Sequence, residues 1–206
     1  MSIELLFEQI QSLLNSQANR TLIGIVGKPG AGKSTVVEQI KSKFGTGEVS
    51  IIPMDGFHLS NEKLIELGRR ERKGAPDTFN IEGFTTLLKN VKQNQHIDHK
   101  FPIFHREIEA SVHDEGVVPK ESKVVVIEGN YLFSTEYNWE GVFPLLDYTW
   151  FIEINDAVRI ERLIARHIRY GKTPTEAENW SRGSDEANAR FIELTAYRAS
   201  NIIKLG

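Results

Sequence analysis

The 206-residue sequence predicts an α/β domain built on a mainly parallel sheet. Two observations carry this. Short apolar runs rich in β-branched residues alternate with longer segments of helical spacing, the order of a parallel sheet with crossover helices. The runs are also apolar at nearly every position, as strands buried on both faces require. They fall at residues 22–26, 49–52, 124–127, 148–154 and 201–203, and so predict five strands.

The elements follow in order. Residues 1–20 place Ile3, Leu6, Phe7, Ile10, Leu13 and Leu14 at helical spacing, which predicts an N-terminal helix. No basic segment precedes an apolar run there, so the segment does not read as a secretory signal. Further helices are expected at 33–44, 81–92 and 156–170, with a broken one at 175–197. Residues 55–119 differ in kind. They hold Gly68, Gly74, Pro76, Gly83, Pro102 and Gly116 among many polar residues and read as a substrate-side region inserted between core strands, with no fold of its own assigned. The net charge of -3 offers no global field to attract nucleic acid or an anionic membrane. The absence of cysteine excludes disulfides, thiolate metal sites and a cysteine nucleophile. No apolar stretch is long enough to span a bilayer. The expectation is a cytoplasmic protein with neither a nucleic-acid nor a membrane partner, of open oligomeric state.

Gly27-Lys28-Pro29-Gly30-Ala31-Gly32-Lys33-Ser34 fits the pattern G-x-x-x-x-G-K-[ST]. It follows an apolar strand and opens a helix, the context the pattern demands. Glycines let successive N–H groups turn toward one anion, and the helix N-terminus adds its own free N–H groups. Residues Gly27 to Thr35, namely Gly27, Lys28, Pro29, Gly30, Ala31, Gly32, Lys33, Ser34 and Thr35, are the expected cradle for a nucleoside triphosphate. Lys33 would reach the β- and γ-phosphates, and the Ser34 hydroxyl would ligate Mg²⁺. The fold class sharpens to a P-loop NTPase, a three-layer α/β/α arrangement around a five-stranded sheet. Glu128 ends the strand at 124–127, where an acid completes the Mg²⁺ shell of P-loop proteins.

Other candidates follow from position. Asp55 lies just past the second strand, on the sheet edge that carries the P-loop. It can accept the proton of an attacking hydroxyl, or cap the turn before Gly56. Asp77 sits in ordinary turn chemistry. Arg69, Arg70, Arg72 and Lys73 read as a solvated basic face. Arg106 is placed to clamp an anionic or hydroxylated substrate. The six histidines show no metal-ligand spacing. Arg159, Arg162, Arg166 and Arg169 form one stripe on the 156–170 helix. The stripe fits a lid over the triphosphate at 156–185, with Gly171 as a hinge or C-cap and Arg162 and Arg166 as the catalytic arginines. It also fits an amphipathic surface helix.

Taken in order, these elements resemble the phosphoribulokinase/uridine kinase/pantothenate kinase family of small-molecule kinases. The segments that carry the resemblance are the P-loop, Met54-Asp55-Gly56-Phe57-His58, Ala75-Pro76-Asp77-Thr78-Phe79, Pro102-Ile103-Phe104-His105-Arg106, Ile127-Glu128-Gly129-Asn130-Tyr131 and the run from Arg162 to Gly171. More narrowly, Lys73-Gly74-Ala75-Pro76-Asp77-Thr78-Phe79 is similar to the bacterial nucleoside/nucleotide kinase-like branch, also called fructose-transport or pantothenate-kinase-like. The resemblance implies one P-loop kinase domain over 1–206 that uses ATP and Mg²⁺ to phosphorylate a hydroxyl of a small-molecule substrate. It implies Asp55 and Lys33 as catalytic residues with Arg162 and Arg166, and Asp55, His58, Asp77, Arg106 and Glu128 as substrate contacts. Asp185 and Asn188 match a downstream pair of the narrower branch. One departure stands out: His105 replaces an aspartate of that branch, which changes charge and hydrogen bonding beside the expected substrate. A second reading, a nucleotide-dependent switch or ATPase without a small-molecule acceptor, draws on that departure.

Overall fold

Leu22 and Val26 face one apolar core while Ile23 and Ile25 face another, so strand β1 (Thr21–Gly27) is buried along its whole length. A computed structural model of the chain describes residues 1–16, 19–45 and 47–205. Residues 17 and 18 of the N-terminal segment, residue 46 and the last residue of the predicted domain, 206, lie outside the described residues. The sheet adds β2 (Val49–Pro53), β5 (Val124–Glu128), β6 (Tyr148–Ile154) and β7 (Asn201–Leu205) in the order β2-β5-β1-β6-β7. Every pairing is parallel. The five predicted strands are all present, each within two residues of its expected bounds.

The period-2 alternation of the strands sorts their side chains into two cores, and helices close each of them. On one face, α1 (Ile3–Asn15) buries Leu6, Ile10 and Leu14, and α2 (Lys33–Phe44) buries Val36 and Ile40. On the other, α4 (Ile81–Gln93) buries Phe84, Leu88 and Val91, and α7 (Ser184–Glu193) adds Ile192. The broken C-terminal helix is two: α6 (Pro174–Arg182), started by a capping box at Thr173, and α7, separated at Gly183. The expected lid helix is α5 (Asp156–Arg169). No helix among the described residues is long and apolar enough to cross a membrane.

Residues 55–119 hold more structure than expected. After β2 the chain makes a 3-10 turn, Met54–Phe57, then the short α3 (Asn61–Glu66), then α4. A hairpin follows, β3 (His99–His105) with β4 (Ala110–Val118), antiparallel and with its register shifted between Phe101 and Ile103. Its sequence hides it. Pro102 interrupts the first strand, and the second is largely exposed and polar, so neither shows the alternation of a half-buried strand. The proline is tolerated at the register shift, where the ladder is already broken.

The hairpin lies directly on the 3-10 turn. A Cβ on Gly56 would sit far inside the contact distance of the Pro102 carbonyl oxygen. That close approach holds β3 over the residue after Asp55. Gly56→Ala is expected to force the hairpin off the turn at a cost of about 1–3 kcal/mol. Urea denaturation reads the loss. An unchanged midpoint would mean that the two elements are not pressed together.

Candidate active site

Strand β1 ends at Gly27 and α2 begins at Lys33. Between them Gly30 and Gly32 take φ values of +80° and +94°, conformations that strain any residue with a Cβ. The N–H groups of Gly32, Lys33, Ser34 and Thr35 find no backbone acceptor among the described residues, so the helix N-terminus presents them as a set. The buried Lys33 ammonium donates to the Gly27 carbonyl at 2.8 Å and lies 4.0 Å from the Glu128 carboxylate. Burial pulls its pKa down, against the attraction of Glu128 and Asp55.

Register brings the acids to the same edge. Glu128 of β5 stands level with Ile25 of β1 on one side and Pro53 of β2 on the other, and Asp55 follows two residues on. Glu128 has only 15% of its side chain exposed and meets no cation closer than Lys33 among the described residues. Burial raises its pKa, and Lys33 only partly opposes this. Asp55 behaves oppositely. Burial pushes its carboxyl up, but His58, Arg106, Lys33 and Arg166 together outweigh that and hold it below its ordinary value. The Arg106 guanidinium donates to Asp55 Oδ2 at 2.8 Å.

His58 is fixed by its surroundings. Its ring packs 4.1 Å from the Phe79 ring and 4.8 Å from the Phe104 ring, and its Nδ1 is 2.8 Å from the Asp55 carbonyl oxygen. A carbonyl can only accept, so Nδ1 carries the proton. Burial lowers the pKa of the ring and favours the neutral form, which leaves Nε2 as a hydrogen-bond acceptor.

The arginine stripe divides. Arg162 is exposed, with its guanidinium beside Gly32 of the P-loop. Arg166 is half-buried, and Arg106, Asp185, Asp55 and Glu128 all act on its charge, with burial the main influence lowering its pKa. Neither guanidinium makes a hydrogen bond or ion pair among the described residues, which suits a role toward an anion. Arg159 does not share it. It is fully buried, donating to Asp156 at 2.8 Å, to Glu186 at 2.5 Å and to the Pro29 carbonyl at 3.4 Å. Gly30 packs against the Arg159 carbonyl and Leu163, so the root of α5 is seated on the P-loop. Lys28 joins the same seam. Its ammonium turns out of the cradle to Asp156 at 2.7 Å and Glu193 at 3.3 Å, so what it gives the cradle is main chain.

Asp77 stands apart from Asp55. Its carboxylate is held by Arg72 and lies 3.4 Å from Arg69 Nε, and its carbonyl accepts from Arg69. It lines an open cleft of about 970 Å³ between α4 and Tyr137 that includes none of Lys33, Asp55 and Glu128. The basic cluster is therefore a set of tethers rather than a bare solvated face: Arg70 pairs with Glu109, and Lys73 donates to Asn61 and to the Glu109 carbonyl. Tyr131 and Trp139 pin the loop before Asp77 by donating to the Gly74 and Pro76 carbonyls. His105 points to the other side of the hairpin from Phe104 and pairs with Glu115 at 2.6 Å. Asp185 accepts from His167 at 2.7 Å and braces α5 against α7, and Asn188 is half-buried on α7. The rings of Phe79 and Phe104 around His58 escaped the sequence reading, because only the hairpin brings Phe104 there.

The model of the phosphoribulokinase / uridine kinase family matches residues 22–204. A Schizosaccharomyces pombe protein provisionally named a uridine kinase is 32% identical over 93% of this chain and 86% of its own length. A crystal structure from Silicibacter sp. TM1040, provisionally named a fructose transport system kinase, superposes with a TM-score of 0.87 at 31% identity, covering 98% of both chains. A Zygosaccharomyces rouxii protein named ATP-dependent kinase YFH7 is 26% identical over 89% of this chain and 58% of its own.

Arg159→Met should leave Asp156, Glu186 and the Pro29 carbonyl without their shared buried cation. Because Asp156 keeps Lys28 and both carboxylates reach solvent, a loss of about 1.5–3 kcal/mol is expected in chemical denaturation, that of charge-assisted hydrogen bonds. A loss under about 1 kcal/mol would show that the seam between α5 and the P-loop does not depend on that charge.

Proposed function

We propose, from the premise that this chain belongs to the phosphoribulokinase/uridine kinase family, that it transfers the γ-phosphoryl group of ATP to a hydroxyl of a small metabolite with Asp55 as the general base. At the coarser level the chain is an ATP-dependent phosphotransferase that acts on an alcohol group. The observation that carries the finer reading is Asp55 itself, an ionised carboxylate at the end of β2, on the same sheet edge as Lys33.

Residues Gly27 to Thr35 offer the phosphates a ring of N–H groups, and Lys33 leaves its own loop carbonyls for the β- and γ-phosphates. Asp55 takes the proton of the acceptor hydroxyl as its oxygen bonds to the γ-phosphorus. The bond from that phosphorus to the bridging oxygen breaks, and ADP departs. Arg162 and Arg166 offset the charge spread over the phosphoryl group in flight. Ser34 and Glu128 suit Mg²⁺: they are hard oxygen donors, and Glu128 is a buried carboxylate whose nearest cation, Lys33, stands 4.0 Å away. When bound, the ion neutralises phosphate charge. Arg106 and His58 position the acceptor, whereas Asp77 shapes the loop behind it. In this reading residues 1–206 act as one kinase domain, with 1–20 as an N-terminal brace, 55–119 serving the acceptor and 156–185 the nucleotide. His105, the departure on which the switch reading draws, pairs with Glu115 at 2.6 Å.

The test is labelled ATP with nucleosides, pantothenate, sugars and sugar phosphates, read by mass spectrometry for a phosphorylated product. Slow hydrolysis with no product would favour the switch. Asp55→Asn should cut transfer by about 10²–10⁴ while ATP affinity stays near wild type. Retained transfer would remove Asp55 as the base.

A pH profile gives a second check. Arg106 is one of the cations that hold Asp55 ionised, so removing it favours the neutral acid. Arg106→Met should move the acidic limb of kcat/KM to higher pH. A limb that stays in place, or moves down, would mean that it reports another group.

A further inference from the structure

Lys73 is a half-buried ammonium without a carboxylate of its own. Its hydrogen bonds go to a neutral side chain, Asn61 Oδ1, and to a neutral carbonyl, that of Glu109, each at 2.7 Å. The Glu109 carboxylate is spent on Arg70 at 2.7 Å, and Asp77 is shared by Arg69 and Arg72. The segment from Arg69 to Lys73 thus sets four cations against the two carboxylates that pair with them, Asp77 and Glu109, and its own Glu71, which pairs with none of them among the described residues. Glu62 and Glu109 reach Lys73 only through space.

The surplus charge lies beside the reaction centre. The Lys73 ammonium is 5.2 Å from the centroid of the Phe104 ring, and the Arg106 guanidinium carbon is 6.0 Å from the same centroid. Phe104 in turn packs on His58, whose ring feels the charges of both Lys73 and Arg106. Arg106 gives a single hydrogen bond to Asp55 and keeps its remaining N–H donors. Lys73 keeps one of its three. Past Asp55, then, two incompletely satisfied cations flank one aromatic ring, and the neutral His58 ring offers a lone pair. A neutral polyol would leave the half-buried Lys73 with no opposite charge in contact, and Arg106 with Asp55 alone.

We infer that the acceptor is a hydroxylated small anion, its carboxylate or phosphate read by Lys73 together with Arg106, and one of its hydroxyls by His58 Nε2. This rests on the transfer reading above. Lys73 is then a specificity residue at the acceptor, distinct from the residues that hold ATP. The competing role, a tether for the hairpin turn after Arg106, predicts that its loss weakens every acceptor alike.

The experiment uses matched acceptors: ribitol, ribonate and ribose 5-phosphate in one series, panthenol and pantothenate in another. Wild-type enzyme should prefer the charged members in kcat/KM. Carboxylate against phosphate preference within the first series says which anion is meant. Lys73→Met should shrink the ratio of charged to neutral kcat/KM by about 10- to 100-fold, chiefly through KM, as loss of a charge-assisted hydrogen bond implies. Lys73→Arg should restore much of the ratio. Preference for the neutral members, or an equal loss on both in Lys73→Met, overturns the inference and leaves the kinase reading standing. ATP hydrolysis without transfer to any member overturns the kinase reading and this inference with it.

Discussion

Strand β1 leaves no residue to solvent, and the placement of every chemical group depends on that constraint. A strand buried on both faces must be paired on both edges, and β5 and β6 supply the pairing in parallel. Parallel pairing puts the carboxyl ends of β2, β5 and β1 on one side of the sheet. Asp55, Glu128 and the P-loop share that side because of it. They are far apart in sequence and meet only through register.

Burial of charge separates the parts that hold the structure from those left over for chemistry. Arg159 is fully buried, and its donors are taken by two carboxylates and a carbonyl. Arg20 is nearly as buried, with its guanidinium taken up by the carbonyls of Val91, Pro119, Lys120 and Ser122. Such groups are costly to disturb and have little capacity for a ligand. Lys33, Glu128, Arg166 and Lys73 are buried or half-buried with their bonding less complete. A charge kept partly desolvated and partly answered is poised for an external partner. The contrast lies in how completely each charge is answered by its partners.

The region between β2 and β5 shows how backbone contact can carry function. Pro102 presses on Gly56, and this fixes the hairpin over the turn that bears Asp55. Arg106 leaves the end of β3 within reach of that carboxylate. Arg70 and Lys73 then hold the turn after Arg106 by way of Glu109. The surroundings of Asp55 are assembled by contacts between segments whose sequences show no regular pattern.

The five strands, most of their helices and the expected phosphate cradle were legible in the residues alone. These depend on local spacing: apolar runs of strand length, helical periodicity, and glycines at fixed offsets before Lys33 and Ser34. The position of Asp55 and Glu128 just past two strands was legible for the same reason. Packing set which member of a pattern pairs with what. Four arginines share one helical stripe, yet Arg159 is sunk against Pro29 and Gly30 while Arg162 faces out. Lys28 belongs to the cradle by sequence and turns to Asp156 by contact. Asp77 is drawn to Arg69 and Arg72, and His105 falls on the far side of a hairpin that Pro102 concealed. In each case the outcome depends on what packs opposite the residue, and spacing along one chain segment carries no record of that.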